Sequence, residues 1–324
     1  MDERDPSIGT REVVVRQDGA GSRLDVYLSN RFPTYSRRQV QQMIQAGLIE
    51  SEGRRLKASS TLLAGEVLQV TAPGLAPVGP PPPMPPIIFE DDRLLVLDKP
   101  AGMLAHPTGI IFAYALVGVA RDRRPDDDMD LAHRLDRETS GINVLTKDRA
   151  ANAHLKAAFK ARHTTKVYQA IVHGTPDWEA LHVDAPIGKS LCSEIRIRRG
   201  INPEGLPAQT ELRVLKRMDG LSLIEARPHT GRTHQIRVHL EHAGFPIVGD
   251  KIYGQPDRTF LHHLDHGADA SIREATGFPR HALHAAELTI PHPDGEPRTF
   301  KAPLSVDLQA IVDGARPAWP APSE

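Results

Sequence analysis

The sequence has a single cysteine, Cys192, among its 324 residues. One cysteine allows neither an internal disulfide nor a thiolate metal cluster within the chain. The surrounding stretch "KSLCSEIR" offers no histidine to activate a nucleophilic thiol, so we interpret Cys192 as a packing residue. No apolar run approaches the roughly 20 residues of a membrane span, and the N-terminus lacks the basic and then apolar order of a signal peptide. These absences predict a cytoplasmic protein with no membrane partner.

Nucleotide-binding signatures are also missing, because no Walker-type run and no dinucleotide fingerprint follows a strand. A metal site remains the alternative, since the chain has 16 histidines. Two groups are candidates: His262, His263, Asp265 and His266 in "LHHLDH", and His234, His239 and His242 in a predicted helix. A zinc-protease signature needs two histidines at i and i+4 with a glutamate beside the first, and neither group supplies it. We therefore expect no metal and no cofactor.

Charge is nearly balanced over the whole chain but not within its parts. The formal net charge is −1, which gives no global indication of nucleic-acid binding. Residues 10–71 nevertheless contain nine Lys or Arg against six Asp or Glu, an excess of three positive charges. The stretch "RRPDDDMD" at 123–130 is acidic instead. With 40% hydrophobic and 25% charged residues, the chain can bury a core, and its length suggests two domains.

The first 73 residues contain the pattern of a small α+β module. "REVVVRQ" predicts a strand, and Ser36 is placed to cap the helix "SRRQVQQMIQAG", which Gly47 ends. "LIESEGRRLKAS" predicts a hairpin turning at Gly53, followed by the strand "EVLQVT". Its candidate binding cations are Arg37, Arg38, Arg54, Arg55 and Lys57. They are either ordinary solvated charges or a basic face for phosphates.

Residues 21–70, including "SRRQV" and "AGLI", resemble the S-four-type RNA-binding domain. That resemblance implies a helix-plus-hairpin surface that holds structured RNA, with these five cations as contacts. The proline-rich "APGLAPVGPPPPMPP" that follows cannot form a helix interior or a strand ladder. We therefore predict a first domain at 10–72, a linker at 73–86, a second domain at 87–310 and a loose tail at 311–324.

The second domain alternates strand and helix patterns. "RLLVLDKPAG", "GINVLTK", "KVYQAIVHG" and "GLSLIEARP" predict strands. Asp148 is placed to cap the helix "RAANAHLKAAFKA", and "RTHQIRVHLEHAG" predicts a helix ending at Gly244. Strands follow one another too closely for a regular βαβ series, so we predict an α+β fold with a mixed, mainly antiparallel sheet.

A crowded polar cluster, "HRLDRETSG", precedes the apolar strand "INVL". Asp136 lies between Arg134 and Arg137, and such neighbours hold a carboxylate ionised. Thr139 to Gly141 suit a tight turn that would fix the loop. From composition alone a structural Asp–Arg pair is favoured, while a nucleophile or general base remains open.

The same cluster resembles the active-site signature of the RluA-type pseudouridine synthase family, H-R-L-D-x-x-T-S-G. Other segments resemble that family's motifs in its order, from about Ile87 to Leu304. They are "FEDDRLLVLDKPAGMLAHP", "KVYQAIVHG", "ARPHTGRTHQIRVHLEHAGFPIVGDKIYG" and "RHALHAAELTIPHP".

The resemblance implies three catalytic residues: Asp136 as the essential aspartate, Tyr168 against the target base, and Arg237 paired with the aspartate. If Ile236 and Leu240 face the core, Arg237 leaves along the edge of that helix face and can reach a neighbouring loop. Arg134 is implied to fill the gap left by a flipped nucleotide. The further RNA contacts that we expect from these motifs are His133, Arg232, His234 and Gln235.

The implied activity is the isomerisation of uridine to pseudouridine within RNA, without cofactor. The oligomeric state that we expect is a monomer. Large-subunit ribosomal RNA is the favoured substrate because of the N-terminal module, and transfer RNA is the alternative. A non-catalytic RNA-binding protein on the same fold is a further hypothesis, and a metal hydrolase is another. Replacing Asp136 separates the first two, and chelation tests the last.

Overall fold

The computed structural model describes residues 8–15, 17–32, 37–51, 54–73, 82–106 and 115–320. The chain divides into two compact units: one groups residues 1–83 with 106–119, and the other groups 84–105 with 120–324. Among the described residues, no helix is both long enough and apolar enough to cross a membrane.

The first unit combines a three-stranded sheet with two helices. Its elements are β1 (Ile8–Val14), a 3₁₀ turn (Gln17–Gly19), α1 (Leu24–Arg31), α2 (Arg37–Gln45), β2 (Ile49–Ser51) and β3 (Val67–Pro73). Both strand pairs of the order β1-β3-β2 are antiparallel. The predicted helix "SRRQVQQMIQAG" is confirmed as α2, and Val40, Met43 and Ile44, which recur at helical spacing, are buried in the core of this unit.

The hairpin predicted in this unit is present but short, because a single antiparallel bridge joins Ser51 to Arg54, with Arg54 N donating to Ser51 O at 3.3 Å. β2 pairs with β3, where Ile49 lies opposite Val70, and residues 55–57 form no strand. The backbone closes a turn instead, since Ser60 N donates to Lys57 O at 2.8 Å. The alternating buried residues of β3 offer β2 an apolar face that the polar segment at 55–57 lacks. The predicted cap Ser36 and turn residue Gly53 lie outside the described residues.

The second unit is built on one large sheet. Its strands are β4 (Ile87–Glu90), β5 (Leu94–Lys99), β6 (Asp130–Leu131), β7 (Ser140–Thr146), β8 (Thr165–His173), β9 (Ala180–Asp184), β10 (Ile187–Lys189), β11 (Arg199–Ile201), β12 (Gln209–Arg217), β13 (Leu221–Pro228), β14 (Leu283–Ile290) and β15 (Arg298–Lys301). The sheet order is β4-β5-β7-β14-β8-β13-β12-β9, with β15 beside β14 and β6 beside β7. β10 and β11 form a separate ribbon. The predicted mixed, mainly antiparallel sheet is confirmed, since within the described residues only β7 and β14 run parallel.

Helices cover this sheet and its edges. They are α4 (Arg149–Ala161), α5 (Gln235–His242), α6 (Asp257–His266), α7 (Ala270–Thr276) and α8 (Val306–Val312), while α3 (Leu116–Arg123) spans the division between the units. The predicted cap of α4 is confirmed, because the Asp148 carboxylate accepts from the N–H groups of Ala150 and Ala151. Strand β7 is buried along its whole length, as its apolar sequence requires.

The turn predicted at Thr139 to Gly141 is wrong. Ser140 and Gly141 already belong to β7, and the turn lies one step earlier, closed by Thr139 N donating to Asp136 O at 3.1 Å. Gly141 has φ +105°, and a Cβ there would lie 2.3 Å from Ala285 O in β14. A glycine is required because β7 and β14 approach at this point, not because the chain turns.

The predicted linker and tail are only partly described. Residues 74–81 of the linker lie outside the described residues. In the predicted tail, Ile311 is buried within α8, and Trp319 Nε1 donates to Thr276 Oγ1 at 3.2 Å. The Lys251 ammonium and the Arg273 guanidinium lie over the Trp319 ring.

Candidate active site

A cavity of about 630 Å³ opens in the second unit. It is lined by the loop that precedes β7, the end of α4, the start of β8, and the loop between β13 and α5. Asp136, Tyr168 and Arg237 all line it, so the fold brings together three side chains that are distant in sequence. Its size is typical of sites that hold small molecules or single groups of larger ligands.

Lys99 fixes the loop that carries Asp136. Its side chain is fully buried at the end of β5, and Nζ donates to the carbonyl oxygens of Pro100 and Met103, each at 2.9 Å, and of Arg137 at 3.2 Å. Burial lowers the pKa of Lys99 to about 7. A lysine in the apolar run "LLVLDK" was the available signal, and the sequence reasoning missed it.

Asp136 and Arg237 make the contact that the resemblance implies. Arg237 Nη1 donates to Asp136 Oδ2 at 3.1 Å. Burial has the largest single effect and would raise the pKa of Asp136, but the charges of Arg237, His234 and His281, together with the Arg237 hydrogen bond, lower that pKa below its ordinary value. The carboxylate is therefore ionised at neutral pH. As expected for a residue at the edge of a core-facing helix, Arg237 reaches this loop while Leu240 is buried.

Asp250 holds Arg237 from the opposite side. Arg237 Nε donates to Asp250 Oδ2 at 2.6 Å and Nη2 donates to Oδ1 at 2.9 Å. Asp250 Oδ1 also accepts from the backbone N–H groups of Ile252 at 2.9 Å and Tyr253 at 3.1 Å. Burial acts against both charges, but the Asp250 carboxylate raises the pKa of Arg237 and the Arg237 guanidinium lowers the pKa of Asp250. One buried guanidinium thus serves two carboxylates.

His234 and Tyr253 complete this side of the cavity. His234 begins α5 in a left-handed conformation with φ 59°, and its Nδ1 shares a 2.8 Å hydrogen bond with the Tyr253 hydroxyl. His234 Nε2 lies 3.9 Å from Asp136 Oδ2. Burial lowers the pKa of His234 to about 4, so it is neutral at pH 7. The Arg237 guanidinium lies 4.8 Å from the Tyr253 ring centroid. The signal for Asp250 and Tyr253 was the end of the third motif, "GDKIYG".

Tyr168 lies on β8, opposite Ala226 of β13 and Ala285 of β14. Burial and the charge of Asp136 raise its pKa, so the hydroxyl is protonated at neutral pH. Its phenol therefore offers the cavity an aromatic face and a neutral O–H group.

The other predicted RNA contacts of the second unit also line the cavity, but some of them already bond to the protein backbone. Arg134 and Arg232 line the cavity, and Arg232 Nε donates to Pro207 O at 3.1 Å. His133 also lines it, but its Nε2 accepts from Val144 N at 3.2 Å. Burial and the charge of Lys166 lower the pKa of His133 to about 3.

Gln235, a predicted RNA contact, lines the cavity, but its side-chain amide is engaged within the protein. Its Oε1 accepts from the Thr230 hydroxyl at 2.6 Å and from Arg232 N at 3.0 Å. Its Nε2 donates to Gln209 O and Thr210 Oγ1, each at 2.9 Å. These bonds use every donor and acceptor that the amide has. Gln235 therefore fixes the loop between β13 and α5 and has no polar group left for RNA.

The predicted cations of the first unit differ in their surroundings. Arg37 Nε donates to the buried carboxylate of Asp25 at 2.9 Å, and Arg54 pairs with Glu66 at 3.3 Å. The remaining three, Arg38, Arg55 and Lys57, have exposed side chains. Within the described residues, no group of three or more His, Cys, Asp or Glu side chains could hold a metal ion.

Comparison with known proteins shows the class of enzyme to which this chain is similar. The family model "RNA pseudouridylate synthase" matches residues 93–242, which carry Asp136, Tyr168 and Arg237, and the S4 domain model matches residues 22–68. The solved structure of the human protein named "RNA Pseudouridylate Synthase Domain Containing 4" is similar to this chain, with 28% sequence identity and a TM-score of 0.56. The match covers 70% of this chain and 91% of the human chain.

Full-length relatives narrow the class to a family. An uncharacterized RNA pseudouridine synthase of Chloroflexus aurantiacus is 38% identical, over 93% of this chain and 92% of its own length. Ribosomal large subunit pseudouridine synthase C of Vibrio cholerae is 35% identical over 94% and 96%, and synthase D of Xanthomonas campestris is 35% identical over 94% and 92%. The chain belongs to the RluA-type RNA pseudouridine synthases. It is an isomerase that acts on RNA, and the resemblance seen in the sequence is confirmed.

Proposed function

We propose that this protein isomerises specific uridines of large-subunit ribosomal RNA, with Asp136 as the reactive group. The observation that carries this proposal is the ionised Asp136, held by Arg237 in a cavity that also presents Tyr168. The relatives named ribosomal large subunit pseudouridine synthases support the choice of RNA. The first unit, which matches the S4 domain model, supports binding to structured RNA.

The target uridine has to leave its stack to reach this cavity, because its base cannot turn inside a duplex. The bond between N1 of uracil and C1′ of ribose breaks, and a bond between C5 and C1′ forms. C5 loses its proton and N1 gains one, so atoms and charge balance without an oxidant or a second substrate. Asp136 starts the cleavage, either by attacking the sugar or by removing its 2′ proton.

Tyr168 stacks on the detached uracil, as aromatic side chains do with unpaired bases. Its hydroxyl is the group on this strand that can take part in the proton transfer from C5. Arg237 orients Asp136 and keeps it ionised, and Arg134 fills the place of the flipped nucleotide. A monomeric state and a cytoplasmic location stay predictions.

Asp136→Asn tests the role of the carboxylate. The purified variant and the wild type are incubated with an unmodified transcript of large-subunit ribosomal RNA, and pseudouridine is mapped. We expect the initial rate to fall by roughly 10³-fold or more, because the reactive group is gone, while RNA affinity stays within about twofold. Product formed by the variant at the wild-type rate would contradict the proposal.

A separate experiment decides between RNA classes. Pseudouridine is mapped across total RNA from cells with and without this protein. We expect the missing sites to lie in large-subunit ribosomal RNA. Missing sites in transfer RNA alone would replace the substrate, and no missing site would favour the non-catalytic RNA-binding hypothesis.

A further inference from the structure

The charges of the cavity lining do not balance. Asp136 is matched by Arg237. The other positive side chains of the lining are Arg134, Lys160, Arg162, Lys166 and Arg232. Within the described residues, none of these five forms a salt bridge with a carboxylate. The cavity therefore carries a surplus of positive charge that the protein itself does not neutralise.

Lys166 is the most constrained of these cations. It precedes Tyr168 by two positions on β8, so both side chains leave the same face of the strand and line the cavity. Lys166 Nζ donates to Thr230 O at 3.0 Å. A carbonyl oxygen satisfies one N–H group but does not balance a partly buried positive charge. Burial and the charge of Arg162 lower the pKa of Lys166 to about 8, and the side chain remains mostly protonated at pH 7.

Arg162 brings a second positive charge close enough to act on Lys166. It is the C-cap of α4 in a left-handed conformation with φ 62°, and its exposed side chain lines the cavity. Two positive side chains near each other repel, and an anion between them removes that cost. Guanidinium and ammonium groups are the side chains that proteins use for phosphate.

We propose that Lys166 and Arg162 form a subsite for an RNA phosphate beside the target uridine. This inference rests on the proposed function, since it takes RNA as the ligand. Residues i and i+2 of a strand are roughly 7 Å apart, comparable with the extent of one nucleotide. A uracil on Tyr168 therefore places a neighbouring phosphate within reach of Lys166. Phosphate contacts of this kind set the position of a nucleic acid without reading its sequence.

The test uses Lys166→Met, which keeps the length of the side chain and removes its charge. Lys216→Met is the matched control, because Lys216 Nζ also donates to one carbonyl, that of Val312, and lies outside the cavity. The probes are single-stranded uridine pentanucleotides, one native and four with a single methylphosphonate in place of each phosphate in turn. Dissociation constants are measured for each protein at several salt concentrations.

We expect Lys166→Met to bind the native pentamer about tenfold more weakly than wild type, with a salt slope smaller by roughly 0.7. One methylphosphonate position should weaken binding to wild type by a similar factor and have no further effect on Lys166→Met. Wild-type affinity should also decline between pH 7 and 9, and that decline should be absent in the variant. Arg162→Gln should change the same position, whereas the exposed Arg258→Gln should change none.

Equal binding by wild type and Lys166→Met at every salt concentration, including no measurable binding by either, overturns the subsite. Equal losses at all four methylphosphonate positions also overturn it, since they indicate a diffuse field. If Lys166 only supports the Thr230 loop, the variant loses thermal stability without any salt-slope change. Formation of pseudouridine by wild type is scored separately, so a failure of the subsite is distinguishable from a failure of the proposed function.

Discussion

Asp136 is kept ionised in part by a guanidinium that it shares with a second carboxylate. Arg237 contacts Asp136 at 3.1 Å and Asp250 at 2.6 Å. Because Asp250 takes the shorter and bidentate contact, Arg237 is positioned by Asp250 and compensates Asp136 only in part. His234 and His281, whose pKa values burial lowers to about 4, add no positive charge at neutral pH. Asp136 is thus ionised and receives only one hydrogen bond from Arg237, not a bidentate pair.

Asp250→Asn tests this sharing. The amide leaves Arg237 Nε without an acceptor, so we expect kcat to fall by about 10–100-fold and the free energy of unfolding to drop by about 3–5 kcal/mol. When the negative charge of Asp250 is removed, less of the positive charge of Arg237 is compensated there. The stronger attraction between Arg237 and Asp136 lowers the pKa of Asp136 further. The acidic limb of the kcat/KM profile should therefore move to lower pH, while wild type stays flat from pH 5 to 6.5.

Glu225→Gln is the control for Asp250→Asn. Glu225 is a buried carboxylate held by Arg213 and Arg227, and it lies outside the cavity. Its replacement should lower stability without moving the pH profile. The acidic limb of the kcat/KM profile of Asp250→Asn could instead stay unchanged or move to higher pH. Either result would mean that Asp250 supports the structure but does not tune the pKa of Asp136.

Tyr168→Phe separates the ring of Tyr168 from its hydroxyl. The pKa of Tyr168 is raised by burial and by the charge of Asp136, so the phenol is neutral in the free enzyme. Phenylalanine keeps the stacking surface, and we expect KM to stay within about threefold while kcat falls by roughly 10²–10⁴. Steady-state kinetics on the mapped RNA site measures both. A kcat near that of wild type would leave Tyr168 with stacking alone.

At the scale of elements, sequence periodicity predicted the buried strands and helices. It did not predict the contacts of buried polar side chains. The apolar runs of β5 and β7 and the Asp148 cap could be predicted because one short pattern specifies each of them. The start of β7 at Ser140 could not, because Ser140 pairs with β14, more than 140 residues away. Lys99 and Asp250 were missed for a similar reason: their partners are backbone groups and side chains of other segments.

Gly141→Ala tests the approach of β7 to β14. The added Cβ would lie 2.3 Å from Ala285 O, and backbone cannot move aside cheaply. Gly220→Ala is the control, since Gly220 also has positive φ, +67°, but no atom lies within 4 Å of its Cβ position. We expect the control to lose about 1–2 kcal/mol of stability and Gly141→Ala to lose more than 4 kcal/mol. Urea unfolding compares the two, and equal losses would mean that only backbone conformation matters at Gly141.

At the scale of the whole molecule, the near-neutral net charge conceals two groups of cations, one in each unit. Lys166 and Arg162 line the cavity of the second unit, and Arg38, Arg55 and Lys57 are exposed in the first unit. Other cations of the described residues pair with carboxylates of the protein, such as Arg54 with Glu66 and Arg37 with Asp25. Affinity and chemistry should therefore respond to different substitutions.

The triple variant Arg38→Gln, Arg55→Gln, Lys57→Gln tests this separation. If each of the three cations contacts a phosphate, the slope of log affinity against log salt falls by roughly 2, and KM rises by about 10-fold or more at physiological salt. The value of kcat at saturating RNA should not change, because these residues lie outside the cavity. The control replaces three exposed cations of the second unit, Arg149, Arg258 and Arg316, by glutamine and carries the same net charge. If the control raises KM as much as the triple variant does, the effect belongs to total charge, and the first unit has no RNA-binding surface at these residues.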